Sequence, residues 1–371
     1  MEDLSMNKRF LAAVIAAGLI MTPQAFADGI DVKVGGRLQQ DLTVGLDSDE
    51  ALTAAVGNTD TGTEFRRARV SVSGKMGNRA SFKAEYDFAD GSVDFADVYL
   101  TIKNTVVGDL QVGHFKEAFG LEELTSSNDT TFTERSILSA FTPGRNSGIA
   151  TTHSVGDVNL ALGIFRNTGD TGSETGGQDG SYNYTLRAHG VLVDNDDALV
   201  HAGAAYSFNN VDSSVAYTSR AVNQGPTLTG TGAITADAAG LVGVELAAVM
   251  GSFSLQGEYM YADVDAGTGT DSDFDGFYVQ ASYFLTGESR PYNAAKGNFG
   301  RVVPESDFIT EDGSGAVELA ARYASIDLND TDAGVSGGEE DNVTVGINWY
   351  LHKNLRAMIN YVFADLDTVG E

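Results

Sequence analysis

The chain has 371 residues, with 44 glycines, 5 prolines, no cysteine and a formal net charge of -29. This length fits either two soluble domains or one large barrel. The absence of cysteine excludes a disulfide framework and thiolate metal sites. The acidic excess argues against nucleic acid as a partner, because its phosphates would be repelled.

Residues 1–27 have the pattern of an export signal behind a short upstream extension. Lys8 and Arg9 form the basic region, Phe10 to Ile20 the apolar stretch, and Ala25-Phe26-Ala27 the cleavage site. The apolar stretch is too short for a membrane-spanning helix, which needs about 20 residues. We therefore expect cleavage after Ala27 rather than an amphipathic membrane anchor, and a mature domain from residue 28 to residue 371.

Polar and apolar residues alternate along most of the later segments. In the first segment, Val34 and Leu38 fall on one face, whereas Arg37 and Gln39 fall on the other. A period of two indicates strands that face two different environments. The charged face is too regular for a protein core, so it must contact water. Together with the export signal, the alternation predicts an all-β fold, a transmembrane antiparallel β-barrel with lipid outside and a wet lumen.

The connections between these segments are alternately short and long, as in outer-membrane barrels. One of them, 287–315, breaks the rule because it falls on the short-turn side, and we expect an extended periplasmic segment there. About fifteen strands are predicted, whereas bacterial single-chain barrels have an even number. We therefore expect a sixteen-stranded type whose last strand is missing from this chain.

The densest positive charge of the mature chain lies in TEFRRARVSVSG, residues 63–74. Because Val70 sets the lipid face, Arg67 and Arg69 should point into the lumen. Arg66 should then face the barrel wall, unless a β-bulge turns it inward. Guanidinium groups bind oxyanions through paired hydrogen bonds, so stacked arginines form a path for anions.

A structural role for the same arginines is the alternative interpretation. They would pair with lumen carboxylates such as Glu85 and Asp97 and only brace the wall, as charge clusters often do.

The sequence resembles the phosphate-selective porins of the O and P type over almost the whole mature chain. The motifs are GGRLQQD (35–41), EFRRARVSVSG (64–74), FKAEYDFA (82–89), VGHFKEAFGLEELTSS (112–127), FTERS (132–136), PGRNSG (143–148), GEYMYADV (257–264), YFLTGESRPY (283–292) and ELAARYASIDL (318–328). The resemblance implies a sixteen-stranded barrel in the bacterial outer membrane. There it would be surrounded by lipid and lipopolysaccharide and would form a homotrimer.

The resemblance also implies functional positions, since members of the family carry a ladder of lumen arginines and a lysine cluster near the periplasm. The matching residues are Arg37, Arg66, Arg67 and Arg69 for the ladder and Lys33, Lys75 and Lys103 for the lysines. Segment 117–147 is similar to the family's constriction loop, and Arg135 and Arg145 are its candidates for the narrowest ring.

These observations predict an outer-membrane porin for passive diffusion of small hydrophilic solutes. The resemblance implies anions such as phosphate. Because Asp41, Glu85 and Asp97 also fall on inward positions, a general or cation-preferring porin stays open, as does a non-conducting structural barrel. The histidines lack metal-ligand spacing, and nucleophile and phosphate-loop motifs are absent, so we expect no enzyme activity, no cofactor and no metal.

Overall fold

The computed structural model describes residues 30–45, 62–89, 91–173, 182–195, 197–211, 213–222 and 225–367. The predicted export signal and its cleavage site lie outside these described residues, as does most of the connection that joins the first two strands.

The described part of the chain contains one antiparallel sheet of 15 long strands, each paired with its neighbour along the chain. The strands are β1 (Ile30–Thr43), β2 (Gly62–Met76), β3 (Ala80–Asp87), β4 (Asp94–Thr105), β5 (Gly108–Lys116), β6 (Arg145–Val155), β7 (Val158–Arg166), β8 (Asn183–Asp194), β9 (Leu199–Asn210), β14 (Ala238–Met250), β15 (Phe253–Asp265), β16 (Ser272–Phe284), β19 (Ala316–Asp330), β20 (Val335–His352) and β21 (Leu355–Asp367). The all-β fold and the strand count expected from the sequence are confirmed.

Shorter elements lie within the long connections. They are helix α1 (Leu121–Leu124), 3-10 turns at Ile137–Phe141 and Gly169–Thr171, and the two-residue strands β10 (Ser214–Val215), β11 (Thr218–Ser219), β12 (Thr229–Gly230), β13 (Ile234–Thr235), β17 (Tyr292–Asn293) and β18 (Asn298–Phe299). Among the described residues, we find no helix with the length and apolar character needed to span a membrane.

The period-two pattern separates the two faces of the sheet as the sequence predicts. On β1, Val34, Leu38 and Leu42 project outward and are 78%, 78% and 70% exposed. The intervening Arg37 points inward, where its guanidinium reaches residues of another segment. An apolar outer face and a polar inner face are what a lipid-embedded barrel requires.

The sheet curls into a cylinder with a seam between β1 and β21, which are not paired with each other. The curvature is evident because Arg37 on β1 and Arg356 on β21 hydrogen-bond to neighbouring positions of one segment, Ser127 and Thr130. Since the sheet is antiparallel and has 15 strands, its two edge strands run in the same direction.

The inner face is less uniformly polar than the alternation indicates. On β14 to β19 it contributes apolar residues to a buried cluster, and connecting segments fold inward to complete that cluster. Its members include Phe119, Leu138, Phe141, Tyr217, Phe274, Tyr278 and Ile326. The connecting segments that fold inward carry apolar side chains, so this part of the lumen is filled by packed side chains rather than by water.

One inward aromatic residue gives a test of the packing. Phe165 is 1% exposed, and it fills space left by Gly148 and Gly163, where an added Cβ would lie 2.4 and 2.3 Å from its ring atoms. We expect Phe165→Ala to lower the free energy of unfolding by about 3–5 kcal/mol, because it leaves a cavity. Urea unfolding in detergent micelles measures the loss. The outward substitution Leu162→Ala is the control, and an equal loss in both variants would contradict this packing.

Candidate functional site

Segment 117–147 follows β5 and includes the first three residues of β6, and it begins and ends at a buried polar junction. The Glu117 carboxylate accepts hydrogen bonds from the side-chain amides of Asn146 and Asn183, each at 2.8 Å. It also accepts one from the Thr185 hydroxyl. These bonds join the two ends of the segment and tie them to β8.

The segment then crosses the lumen to the opposite wall. The Glu258 carboxylate on β15 accepts hydrogen bonds from the backbone N–H groups of Leu121 and Glu122, each at 2.7 Å. The carboxylate of Glu122 lies 3.2 Å from the guanidinium of Arg322 on β19. A carboxylate is favourable at the N-terminus of α1, because the first N–H groups of a helix lack partners within it.

A buried ion cluster holds the segment's own fold together. The Glu123 carboxylate lies 2.9 Å from Lys116 and 3.0 Å from Arg135. Burial opposes its ionisation, but these cations outweigh burial and lower the pKa of Glu123 to about 2. Arg135 also donates to the backbone carbonyls of Glu122, Glu123 and Thr125. These partners of Arg135 therefore all belong to segment 117–147 itself.

The same segment bridges the seam of the sheet. From β1, Arg37 donates to the hydroxyl and the carbonyl of Ser127 at 2.6 and 2.8 Å. From β21, Arg356 donates to the Thr130 carbonyl at 2.7 Å, and the Asn360 side chain accepts from the Thr133 N–H and hydroxyl at 2.8 Å. The two edge strands are thereby linked through residues 127–133.

Arg66 reaches the lumen through a β-bulge. Gln39 lies opposite Arg67 and Gln40 opposite Phe65, so Arg66 is an extra residue on β2. Its guanidinium forms a two-point contact with the Glu134 carboxylate, at 2.6 and 3.1 Å. Of the two orientations that the sequence left open for Arg66, the structure has the inward one.

Other predicted site arginines are compensated by carboxylates, as the alternative interpretation expected. Arg69 lies 2.6 Å from Asp87 and 3.6 Å from Glu85. Arg145 is the first residue of β6 and lies 2.8 Å from Asp97. Asp97 also binds Lys83 at 2.7 Å. The structure therefore pairs Arg69 and Arg145, like Arg66 and Arg135, with acidic residues.

Arg37 and Arg67 differ from those four, because neither has a carboxylate within ion-pair distance among the residues that the structure describes. Arg67 donates to the Gln39 amide oxygen at 2.9 Å. It is only 4% exposed, and its Nε finds no hydrogen-bond partner in the described ranges. A buried cation without a counter-charge is costly, so this position favours an anion.

The three predicted lysines lie apart from the arginines. Lys33, Lys75 and Lys103 are exposed near the short-turn ends of β1, β2 and β4. Lys33 precedes Arg37 by four positions on the same face, which is about 13 Å along a strand. Lys75 lies opposite Asp31 in the β1–β2 register. The structure brings the lysines to one end of the sheet but not into the arginine group.

The connection 287–315 leaves the sheet at the short-turn end and enters the lumen as the hairpin β17–β18. Arg187 on β8 donates to the carbonyls of Lys296 and Gly297 at 3.1 and 2.7 Å, and it pairs with Glu245 at 2.5 Å. Gly297 has φ 61, and a Cβ there would lie 2.5 Å from the His189 ring, so only glycine fits.

This hairpin contacts segment 117–147 inside the barrel. The Asn298 side chain donates to the Leu124 carbonyl at 2.9 Å, and the Phe299 N–H donates to the Thr125 hydroxyl at 3.3 Å. Arg301 lies 3.6 Å from Asp129. Two connections that leave the sheet at opposite ends therefore meet next to Ser127.

Sequence reasoning missed Arg187, Arg322 and Arg356 as lumen residues. The signal was present: on β8, Tyr184 and Leu186 are the outward positions, so the same alternation places Arg187 inside. No local sequence pattern indicates which distant backbone carbonyl or carboxylate each of these arginines contacts.

A cavity of about 370 Å³ lies between segment 117–147 and the connection that joins β9 to β14. Its lining combines cations, hydroxyls and carboxylates: Arg66, Arg135, Arg220, Ser139, Thr218, Ser219, Glu123 and Glu134. Chemically, the lumen thus offers several guanidinium and hydroxyl donors to a passing oxyanion, with carboxylates that hold most of the guanidinium groups in place.

Comparison with known proteins identifies the family. The family of phosphate-selective porins O and P matches residues 32–370. The chain belongs to this porin family. Porin O of Pseudomonas aeruginosa is 27% identical over 97% of this chain and 94% of that protein. An uncharacterised protein of Caulobacter vibrioides is 28% identical over 93% of this chain and 70% of its own length.

Solved outer-membrane porins have the same fold. OmpT of Vibrio cholerae, in a trimer form, has a TM-score of 0.57 at 14% identity, covering 92% of this chain and 91% of that one. An anion-selective porin from Comamonas acidovorans also has a TM-score of 0.57 at 14% identity, covering 91% and 90%. This porin is therefore a transmembrane β-barrel of the bacterial outer membrane.

The pKa of Glu123 leads to a prediction about acid stability. Because the pKa is lowered to about 2, its ion cluster stabilises the porin fully above about pH 5, and this contribution is lost as the pH falls through about 2. We expect Glu123→Gln to lower the free energy of unfolding by about 2–4 kcal/mol at pH 7, since Arg135 and Lys116 lose their partner.

Urea unfolding of the wild type and the variant at several pH values measures this difference. It should persist at pH 5 and shrink toward pH 2. A difference that has already vanished at pH 5 would contradict the lowered pKa.

Proposed function

We propose that this porin passes small anions through the outer membrane by passive diffusion, with phosphate as the preferred solute. The observation that supports this most is the pair Arg37 and Arg67. They are inward guanidinium groups without a carboxylate partner in the described ranges, and the Arg67 Nε is buried without a hydrogen-bond partner. Membership in a family of phosphate-selective porins supports the same solute.

Passage requires that the anion binds and is released again. Arg37 already donates to Ser127, so an arriving anion exchanges these bonds for its own instead of filling an empty site. The gain per contact is moderate, which suits conduction, because a strong single site would hold the ion. The Ser127 hydroxyl becomes a further donor to the anion.

In this proposal, segment 117–147 is the constriction and connection 287–315 a periplasmic element that narrows the lumen from the other end. Their contacts at Leu124, Thr125 and Asp129 support this arrangement. In outer-membrane barrels the short turns face the periplasm, so the hairpin enters from that side.

The other predicted residues take supporting roles. The paired arginines Arg66, Arg69, Arg135 and Arg145 supply donors without a large net charge. Lys33, Lys75 and Lys103 raise the positive potential at the periplasmic mouth, where their exposure leaves them accessible to ions.

We also propose that the porin assembles as a homotrimer, with lipid and lipopolysaccharide around the remaining outer face. The trimer form of the structurally similar OmpT supports this assembly. Chemical cross-linking in intact outer membranes, followed by gel electrophoresis, tests it.

Anion selectivity gives the main functional prediction. We expect the wild-type porin to give a reversal potential of anion sign in a potassium chloride gradient across a planar bilayer. Arg37→Gln and Arg67→Gln should each move this potential toward the cation side and weaken block by phosphate about tenfold, since each removes an uncompensated charge.

The control is Arg79→Gln at the β2–β3 turn, where Arg79 donates to the carbonyls of Lys103 and Asn104. This variant should match the wild type. A cation-selective wild type would overturn the phosphate proposal and favour a general or cation-preferring porin, and the absence of conductance steps would favour a structural barrel.

The hairpin gives a second prediction. Replacing residues 293–298 by a two-glycine link should increase single-channel conductance, because it removes chain from the lumen. The control replaces residues 308–312 of the same connection by glycines; there Phe308 packs against the outward Trp349, with ring centroids 5.1 Å apart. Equal conductance in both variants would show that the hairpin does not narrow the pore.

A further inference from the structure

Gln39 lies between the two uncompensated arginines. Its amide oxygen accepts hydrogen bonds from Arg37 and from Arg67, the latter at 2.9 Å. Its amide nitrogen donates to the two carboxylate oxygens of Asp41, at 3.1 Å each. The side chain is therefore held at both ends, with its oxygen toward the cations and its nitrogen toward the anion.

The β1–β2 register explains why this position can serve both arginines. Gln39 lies directly opposite Arg67, and the bulge that adds Arg66 follows immediately. Arg37 is two residues away on β1 and therefore on the same inward face. One amide oxygen thus receives donors from two adjacent strands.

A neutral amide between the two guanidinium groups has a different effect from a carboxylate at the same place. Two guanidinium groups in one place repel each other, and an acceptor between them reduces that cost. A carboxylate would do so by cancelling one charge, as Glu134 does for Arg66. A neutral amide holds the two cations together by accepting a hydrogen bond from each, and it leaves both of their charges in place. Its NH₂ group is at the same time the nearest hydrogen-bond partner of the Asp41 carboxylate.

We infer that Gln39 is a positioning residue that determines selectivity: it holds Arg37 and Arg67 as one doubly charged binding site for a small oxyanion and keeps Asp41 from neutralising that site. This inference rests on the anion function proposed above and names the residue that makes the arginine pair effective. It predicts that selectivity depends on the charge at position 39, not only on the presence of the arginines.

The test uses two substitutions at this position. Gln39→Glu has the same shape but adds a charge between the arginines. It should weaken phosphate block about tenfold or more and move the reversal potential toward the cation side. Gln39→Leu removes the bridge without adding charge. It should weaken block several-fold while the reversal potential keeps its anion sign.

Gln111→Glu is the matched control, since Gln111 on β5 is a part-buried polar residue that accepts from Thr101 and forms no contact with an arginine in the described chain. The heat-induced mobility shift on detergent gels shows that each variant folds. If Gln39→Glu does not fold, Gln39→Leu decides: unchanged phosphate block in this variant overturns the inference.

Different results would overturn the anion function and the role of Gln39. A cation-selective wild type overturns the anion function itself. An anion-selective wild type in which Gln39→Glu behaves like Gln111→Glu overturns only the role of Gln39. A purely structural role would lower stability in both variants at position 39 but would leave the phosphate block of Gln39→Leu unchanged.

Discussion

Compensation of charge inside the barrel is the constraint on which the lumen of this porin depends. A guanidinium taken out of bulk water needs either a carboxylate or a set of neutral acceptors. Carboxylates compensate Arg66, Arg69, Arg135 and Arg145, which thereby become fixed parts of the barrel wall or of segment 117–147. Arg37 and Arg67 have neutral acceptors instead, so their charge remains available. The anion selectivity proposed for this porin rests on this division, since an anion responds to the charge that is left over.

The same need for charge compensation explains how segment 117–147 can cross the lumen, although an apolar core does not support its whole length. Segment 117–147 is held by carboxylates at Glu117 and Glu258 and by guanidinium groups at Arg37 and Arg356. Its backbone groups, which would otherwise lack partners, are bonded to the barrel wall. Because these contacts include both edge strands, the segment proposed as the constriction also joins the two sides of the seam.

Much of the fold was predictable from the sequence, because strand geometry is local. The period of two gave the strands, the lipid face at Val34 and Leu38, and the inward direction of Arg67 and Arg69. The pairings were not predictable, since Glu134 and Asp97 are far from Arg66 and Arg145 in the chain and only closure of the sheet brings them together. The inward orientation of Arg66 depended on a one-residue bulge, which strand periodicity allows but does not require.

The acidic character of the chain is compatible with a positive site, because charge acts locally. At the long-connection end, carboxylates lie opposite one another on the outward face, as in Asp275 and Asp327 or Glu339 and Asp367. The barrel wall separates them from the lumen, and in water their field falls off within a Debye length of about 8 Å. The overall charge of -29 therefore says little about the pore. In the site proposed here, a single neutral amide at position 39, between two guanidinium groups and one carboxylate, has more influence on which ion enters.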